Sequence, residues 1–165
     1  MYTITRKRII DTARKWIGTQ FHYQGRLKKN AKCHGGCDCI GLIIGIARDL
    51  NIQSKNHLPL HYSDQVNYNI IDKDAIYHKI QHLLIQKEIS HALPGDILLI
   101  RIHRVTHHFA ILSYNYNIIH TSATIKQVTE HKLFPKWYNM ITYTFSFPFI
   151  HENKTYYPKL LNIRH

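Results

Sequence analysis

Several things that often decide a fold class are scarce in this sequence. Three cysteines in 165 residues are too few for a disulfide scaffold, and the odd count leaves at least one thiol unpaired, which fits synthesis in a reducing compartment. Seven glycines and five prolines exclude collagen-like and Pro/Gly-rich low-complexity chains. The longest apolar run, "CIGLIIGIA", is much too short to span a bilayer. The opening "MYTITRKRIIDTARKWIG" lacks an apolar h-region and a small-residue cleavage site, so no secretory signal is expected and the protein is expected to be made in the cytoplasm. Acidic residues are scarce too: 10 Asp and Glu stand against 22 Lys and Arg, a formal charge of +12.

What is present describes a folded globular protein. A hydrophobic fraction of 44% and an aromatic fraction of 12% support one core, and we expect a single domain over 1–165. The charge favours polyanionic partners: nucleic acid, anionic lipid or the carboxylate-rich bacterial wall. The basic residues are spread over "TRKR", "RLKK", "RIHR" and "HKLFPK" and match no nucleic-acid signature, so neither a specific nucleic acid nor a membrane is an expected partner.

Apolar residues at Ile9, Ile10, Ala13, Trp16 and Ile17 recur at helical spacing, with Arg14 and Lys15 in the last turn and Gly18 as the stop. The polar, Gly-punctuated "TQFHYQGRLKKNAKCHGG" reads as a loop leading to Asp38. Asp38 is placed to cap a second helix from Cys39 to about Leu50, apolar on nearly every face and therefore a core helix. A third helix is predicted from roughly Lys73 to Ile89, with Ile76, Ile80, Leu83, Leu84 and Ile85 on one face, before "LPGD" breaks the pattern. The runs "ILLIRIH", "HHFAILSY", "NIIHTSA" and "MITYTFSFPF" are β-branched and aromatic, and read as antiparallel strands. Helices first and strands after argue for an α+β domain with a core helix on one face of a sheet.

A thiol in the first turn of a buried helix meets unpaired N–H groups and the positive end of the helix dipole, both of which favour thiolate. As a nucleophile it also needs an imidazole, oriented by a third polar group. If "HHFAIL" and "IIHTSA" form a hairpin about "YNYN", His108 and His120 fall near cross-strand positions on a shared face. His107 then alternates to the opposite, solvated face. Cys33, His34, Cys37 and Cys39 are also residue types that bind zinc, but Cys37 and Cys39 are too close for a knuckle pair and no second ligand pair follows. Cys33 and Cys37 read instead as loop thiols or a redox-sensitive pair.

In order, "DCIGL", "LPGDILLI", "HHFAIL" and "IIHTSA" resemble the nucleophile, turn, base and third-residue motifs of the NlpC-type cell-wall cysteine peptidases. The likeness runs from roughly Ile9 to Ala123 and is greatest to the phage and gene-transfer-agent branch. It implies a papain-like fold with Cys39 as nucleophile, His108 as general acid/base and His120 as the orienting residue. It implies no metal or organic cofactor. The implied substrate is the peptide stem of peptidoglycan, cut between D-glutamate and a diamino acid, with phage-tail or gene-transfer-agent tail proteins as further partners and delivery to the wall by a tail particle or by lysis. Asp38, Phe21, Arg26, Lys28 and Lys29 are the candidate substrate-binding residues, the basic ones for the stem's carboxylates. Two departures stand out: Ile40 replaces a frequent Ser, and Gln20-Phe21 replaces Pro-Tyr, removing a hydroxyl. An amidase or acyl transferase using the same three residues, or a non-catalytic wall-binding or tail protein, are the competing readings.

Overall fold

The computed structural model describes residues 3–60, 75–102 and 107–151. Helix α1 (Arg6–Arg14) starts where the Thr5 side chain accepts from the Arg8 N–H, one turn earlier than the apolar spacing alone indicates, because capping and not hydrophobicity sets the start. A two-stranded ribbon follows, β1 (Arg26–Leu27) against β2 (Gly36–Cys37). It breaks the loop expected there. Helix α2 (Cys39–Asp49) begins as expected: Asp38 Oδ1 accepts from the Gly41 N–H at 2.8 Å.

The third helix is shorter than predicted. Within the described residues α3 covers Ala75–Leu83, and β3 (Ile85–Lys87) then pairs with the strand nearest the end of the described chain. Ile85 is 44% exposed and belongs to this edge strand, not to the helix face. Lys73 and the start of the predicted helix lie outside the described residues.

Strands β4 (Ile97–Arg101), β5 (His107–Leu112), β6 (Asn117–Ser122), β7 (Gln127–Lys132) and β8 (Ile141–Ser146) complete an antiparallel sheet of order β3-β8-β4-β5-β6-β7. A four-residue helix, α4 (Pro135–Tyr138), joins β7 to β8. The "YNYN" turn places Asn115 and Tyr116 at φ 54 and 57, left-handed values that Asn tolerates better than most residues. The α+β arrangement is therefore as expected, with β3 and β7 added.

Side chains of Ile97, Leu99, Phe109, Ile111, Ile119, Val128 and Phe145 on one sheet face pack with Leu42 and Ile46 of α2 and Ile9 and Ile10 of α1. Leu98, Ile100, Ala110, Leu112 and Ile118, on the other face, form a smaller cluster with Trp137 and Tyr138. The alternation follows from the period of two along each strand. Two glycines let α2 sit close to its neighbours. A Cβ at Gly45 would stand 2.1 Å from Trp16, and one at Gly41 would stand 1.9 Å from the Gly25 carbonyl.

The "LPGD" turn anchors α1 to the sheet. Asp96 is fully buried, pairs with Arg6 at 2.7 Å and Lys87 at 2.6 Å, and accepts from the Leu93 N–H. Among the described residues, no helix is long and apolar enough to cross a membrane.

Candidate active site

The site forms where the sheet parts. β5 and β6 pair only at Ile111↔Ile119 and Leu112↔Ile118, whereas β6 pairs with β7 along its whole length. Beyond Ile111 the two strands diverge, and the first turn of α2 reaches that opening. There the Cys39 thiol meets the backbone N–H of Phe109, the residue after His108, and those of Ile40 and Cys39 itself. Those N–H groups and the helix start favour thiolate, but burial outweighs them and pushes the Cys39 thiol up to about 12, with Asp38 adding to the rise. Desolvation thus opposes the thiolate that the helix terminus favours.

His108 and His120 meet across the opening. His108 Nε2 lies 2.7 Å from His120 Nδ1 with the rings perpendicular. Burial lowers the His108 imidazole to about 4, with His131 adding to the effect, and lowers His120 to about 3, with His108 and His131 contributing. Burial thus favours the neutral form of both the Cys39 thiol and the His108 imidazole at neutral pH. Among the described residues no hydrogen bond joins the Cys39 sulfur to either ring, so the thiol meets β5 through its backbone. The His107 side chain lies outside what is described.

Two residues of this site escaped the sequence reading. His131, on β7, places Nε2 2.7 Å from His120 Nε2, and Trp137 of α4 lies edge-on to all three rings at 6.0, 5.2 and 5.7 Å between centroids. Alternation from Val128, the buried residue of "QVTEHK", would have put His131 on the face of His120, but the surrounding charge made this segment read as loop.

The candidate substrate-binding residues fare unequally. Asp38 is buried, with Oδ1 accepting from Gly41 N–H and Oδ2 from Gln24 N–H at 2.8 Å each. It fastens the helix start to the preceding loop. Phe21 is 40% exposed and bridges to Cys37, and Arg26 pairs with Cys37 from the other side. Both therefore flank the strand that leads into Cys39. Lys28 instead pairs with Asp49 and lies over the Trp16 ring. Asp49 ends α2, about 15 Å along the axis from Cys39. Lys29 runs over Gly18, whose added Cβ would stand 2.7 Å from Nζ. Neither lysine is placed at the thiol.

Cys33 is exposed and Cys37 is fully buried. Cys37 is thus a core thiol, 3.8 Å from Thr121 Oγ1, and burial pushes it up to about 11. The reading of both as loop thiols fails for Cys37.

The profile of the NlpC/P60 family matches residues 18–145, most of the chain. The chain belongs to the NlpC/P60 family. Solved structures agree in fold. An NlpC/P60 family protein from Bacillus cereus superposes with a TM-score of 0.60 at 16% identity, covering 87% of this chain and 40% of that one. The NlpC/p60 domain of the peptidoglycan hydrolase SagA gives 0.53 at 19% identity, covering 87% and 99%. The P60 domain of an antigen from M. avium subspecies paratuberculosis gives 0.55 at 15%, covering 88% and 96%. No match to a curated protein sequence was found. At these identities the structures establish that this NlpC/P60 chain is papain-like in fold, and the chain spans less than half of the Bacillus cereus protein.

Proposed function

We propose that this NlpC/P60 protein is a cysteine endopeptidase that hydrolyses amide bonds in the peptide stems of bacterial peptidoglycan. The observation that carries the reading is the 2.7 Å contact between His108 and His120, at the strand opening where α2 delivers the Cys39 thiol. Family membership and the likeness to a peptidoglycan hydrolase domain point to the same chemistry. On binding, His108 takes the thiol proton as Cys39 Sγ attacks the carbonyl carbon, and the C–N bond breaks as His108 returns that proton to the leaving amine. Water, activated by the same ring, then cleaves the thioester. The Cys39 N–H and one neighbouring donor receive the oxyanion, and His120 holds the His108 ring.

The bond between D-glutamate and the diamino acid is the proposed point of cleavage. The proposed setting is the cell wall, reached from the cytoplasm with a phage or gene-transfer-agent tail particle or at lysis. The test is mass spectrometry of purified muropeptides digested by the wild type and by Cys39→Ser. Peptides ending at D-glutamate, produced by the wild type alone, are expected. Products cut at another amide would move the assignment to an amidase, and none from either protein would overturn it.

A further inference from the structure

The histidine contacts form a directed chain that extends past the three residues of the proposed mechanism. His131 Nδ1 lies 2.7 Å from the Lys132 carbonyl. A carbonyl can only accept, so Nδ1 carries the proton, and the other nitrogen of a neutral His131 must accept. His120 Nε2, 2.7 Å away, is therefore the donor, which leaves His120 Nδ1 as acceptor. His108 Nε2, 2.7 Å from it, then donates. The direction imposed by one backbone carbonyl on β7 thus leaves the lone pair of His108 on Nδ1. Among the described residues, that nitrogen makes no hydrogen bond. Burial keeps both inner rings neutral at pH 7, as the direction of their shifts requires.

The packing holds this arrangement. His120 lies opposite Thr129 and His131 opposite Ile118 in the β6–β7 register, so the three rings step diagonally across β5, β6 and β7 on one face. Phe134 stacks on His131 at 5.3 Å, and Trp137 touches every ring of the chain. A histidine in the third position can be held in either tautomer, and it needs a fixed partner to choose one.

We propose that His131 is a positioning residue: through His120 it fixes the tautomer of His108, so that Nδ1 is the nitrogen free to take the thiol proton. The proposal deepens the peptidase reading and rests on it for its effect on rate, while the tautomer itself is open to measurement whatever the substrate. The experiment is long-range ¹H–¹⁵N spectroscopy of the imidazoles at pH 7 in the wild type, His131→Phe and His131→Gln. The wild type is expected to show His108 protonated at Nε2. His131→Phe keeps a ring for Phe134 but cannot accept from His120, and should populate the Nδ1-protonated form of His108. His131→Gln retains an acceptor and should restore the wild-type signature.

In turnover, His131→Phe is expected to lower kcat about tenfold, the scale of one lost hydrogen bond, with KM unchanged and largely recovered in His131→Gln. A wild-type His108 protonated at Nδ1 overturns the proposal without any variant. So does a spectrum unaltered in His131→Phe, or a His131→Gln as slow as His131→Phe. Absence of hydrolysis by the wild type overturns the peptidase reading and leaves the spectra to decide the tautomer.

Discussion

The two faces of the antiparallel sheet divide structure from chemistry residue by residue. On β5, Phe109 and Ile111 enter the core under α2, while His108, their neighbour in sequence, points to the opposite face and meets His120. On β7, Val128 is buried against the helices and His131 joins the histidine chain. One face is apolar and held by area; the other carries a smaller apolar cluster and, beside it, rings in directed contact under a single tryptophan. Changes at the buried apolar positions should act on stability and changes at the histidines on rate. A period of two lets adjacent residues serve these separate ends without compromise.

The comparison is sharpest at His108. His108→Ala is expected to lower kcat by roughly 10³-fold, within the range of a lost general base, with little loss of stability. Cys39→Ser should abolish turnover and keep the circular dichroism of the wild type. On the helix face Ile111→Ala, three residues along the same strand, should destabilise the protein by about 2–5 kcal/mol while the folded fraction keeps its kcat. Urea denaturation and steady-state rates on the same preparations check both. A His108→Ala protein that unfolds while Ile111→Ala is inactive but stable would reverse the assignment of faces.

The histidine face also has a pH signature. Because burial disfavours the cation, His108 stays neutral as pH falls until about 4, so the acid limb of the rate profile should lie near there and not near 6.5. The same shift opposes folding in acid. Between about 6.5 and 4 the unfolded chain binds protons that the folded chain does not, so stability falls as pH is lowered through that window. His120→Asn removes one such group, itself lowered to about 3, and should flatten the loss between pH 7 and pH 4.5 in denaturation experiments. An unaltered slope would mean that His120 is not the buried neutral ring described.

How much of this was legible in the sequence follows from the same division. α2 was readable because Asp38 caps it and its faces are apolar. His108 and His120 were readable because alternation and the "YNYN" turn fix their register. β7 was missed because on the histidine face a strand shows Thr, His and Gln where pattern reading seeks hydrophobes. β3 was missed because Ile85 continues the helical spacing of α3 although the chain has already turned into an edge strand. For the thiol only one side of the balance was legible, since the helix terminus that favours thiolate is visible in sequence and the burial that opposes it is not. The path of the loop from Gly25 to Lys32 was beyond reach, as spacing along a chain says nothing about which end of a helix it runs toward.

That loop supplies the smallest expected effect and separates its own residues. Read by proximity in sequence, Arg26, Lys28 and Lys29 together border the cleft and hold anionic substrate. The fold sets Arg26 opposite Cys37, but takes Lys28 to Asp49 and Lys29 over Gly18. Lys28 is thus held at the far end of α2 and Lys29 beside Gly18, and their removal should leave KM and its salt dependence as in the wild type. The double variant Lys28→Ser, Lys29→Ser should lose no more than about 1 kcal/mol, the range of a partly exposed ion pair. Arg26→Ser, by contrast, should raise KM at low salt and flatten the salt dependence with kcat unchanged, because a charge at the rim acts on encounter and binding. The measurement is KM for a soluble muropeptide across ionic strength in both variants. A rise in KM with the lysine pair that matches or exceeds the rise with Arg26 would return all three to the cleft and show that the electrostatic reach of the loop exceeds its contacts.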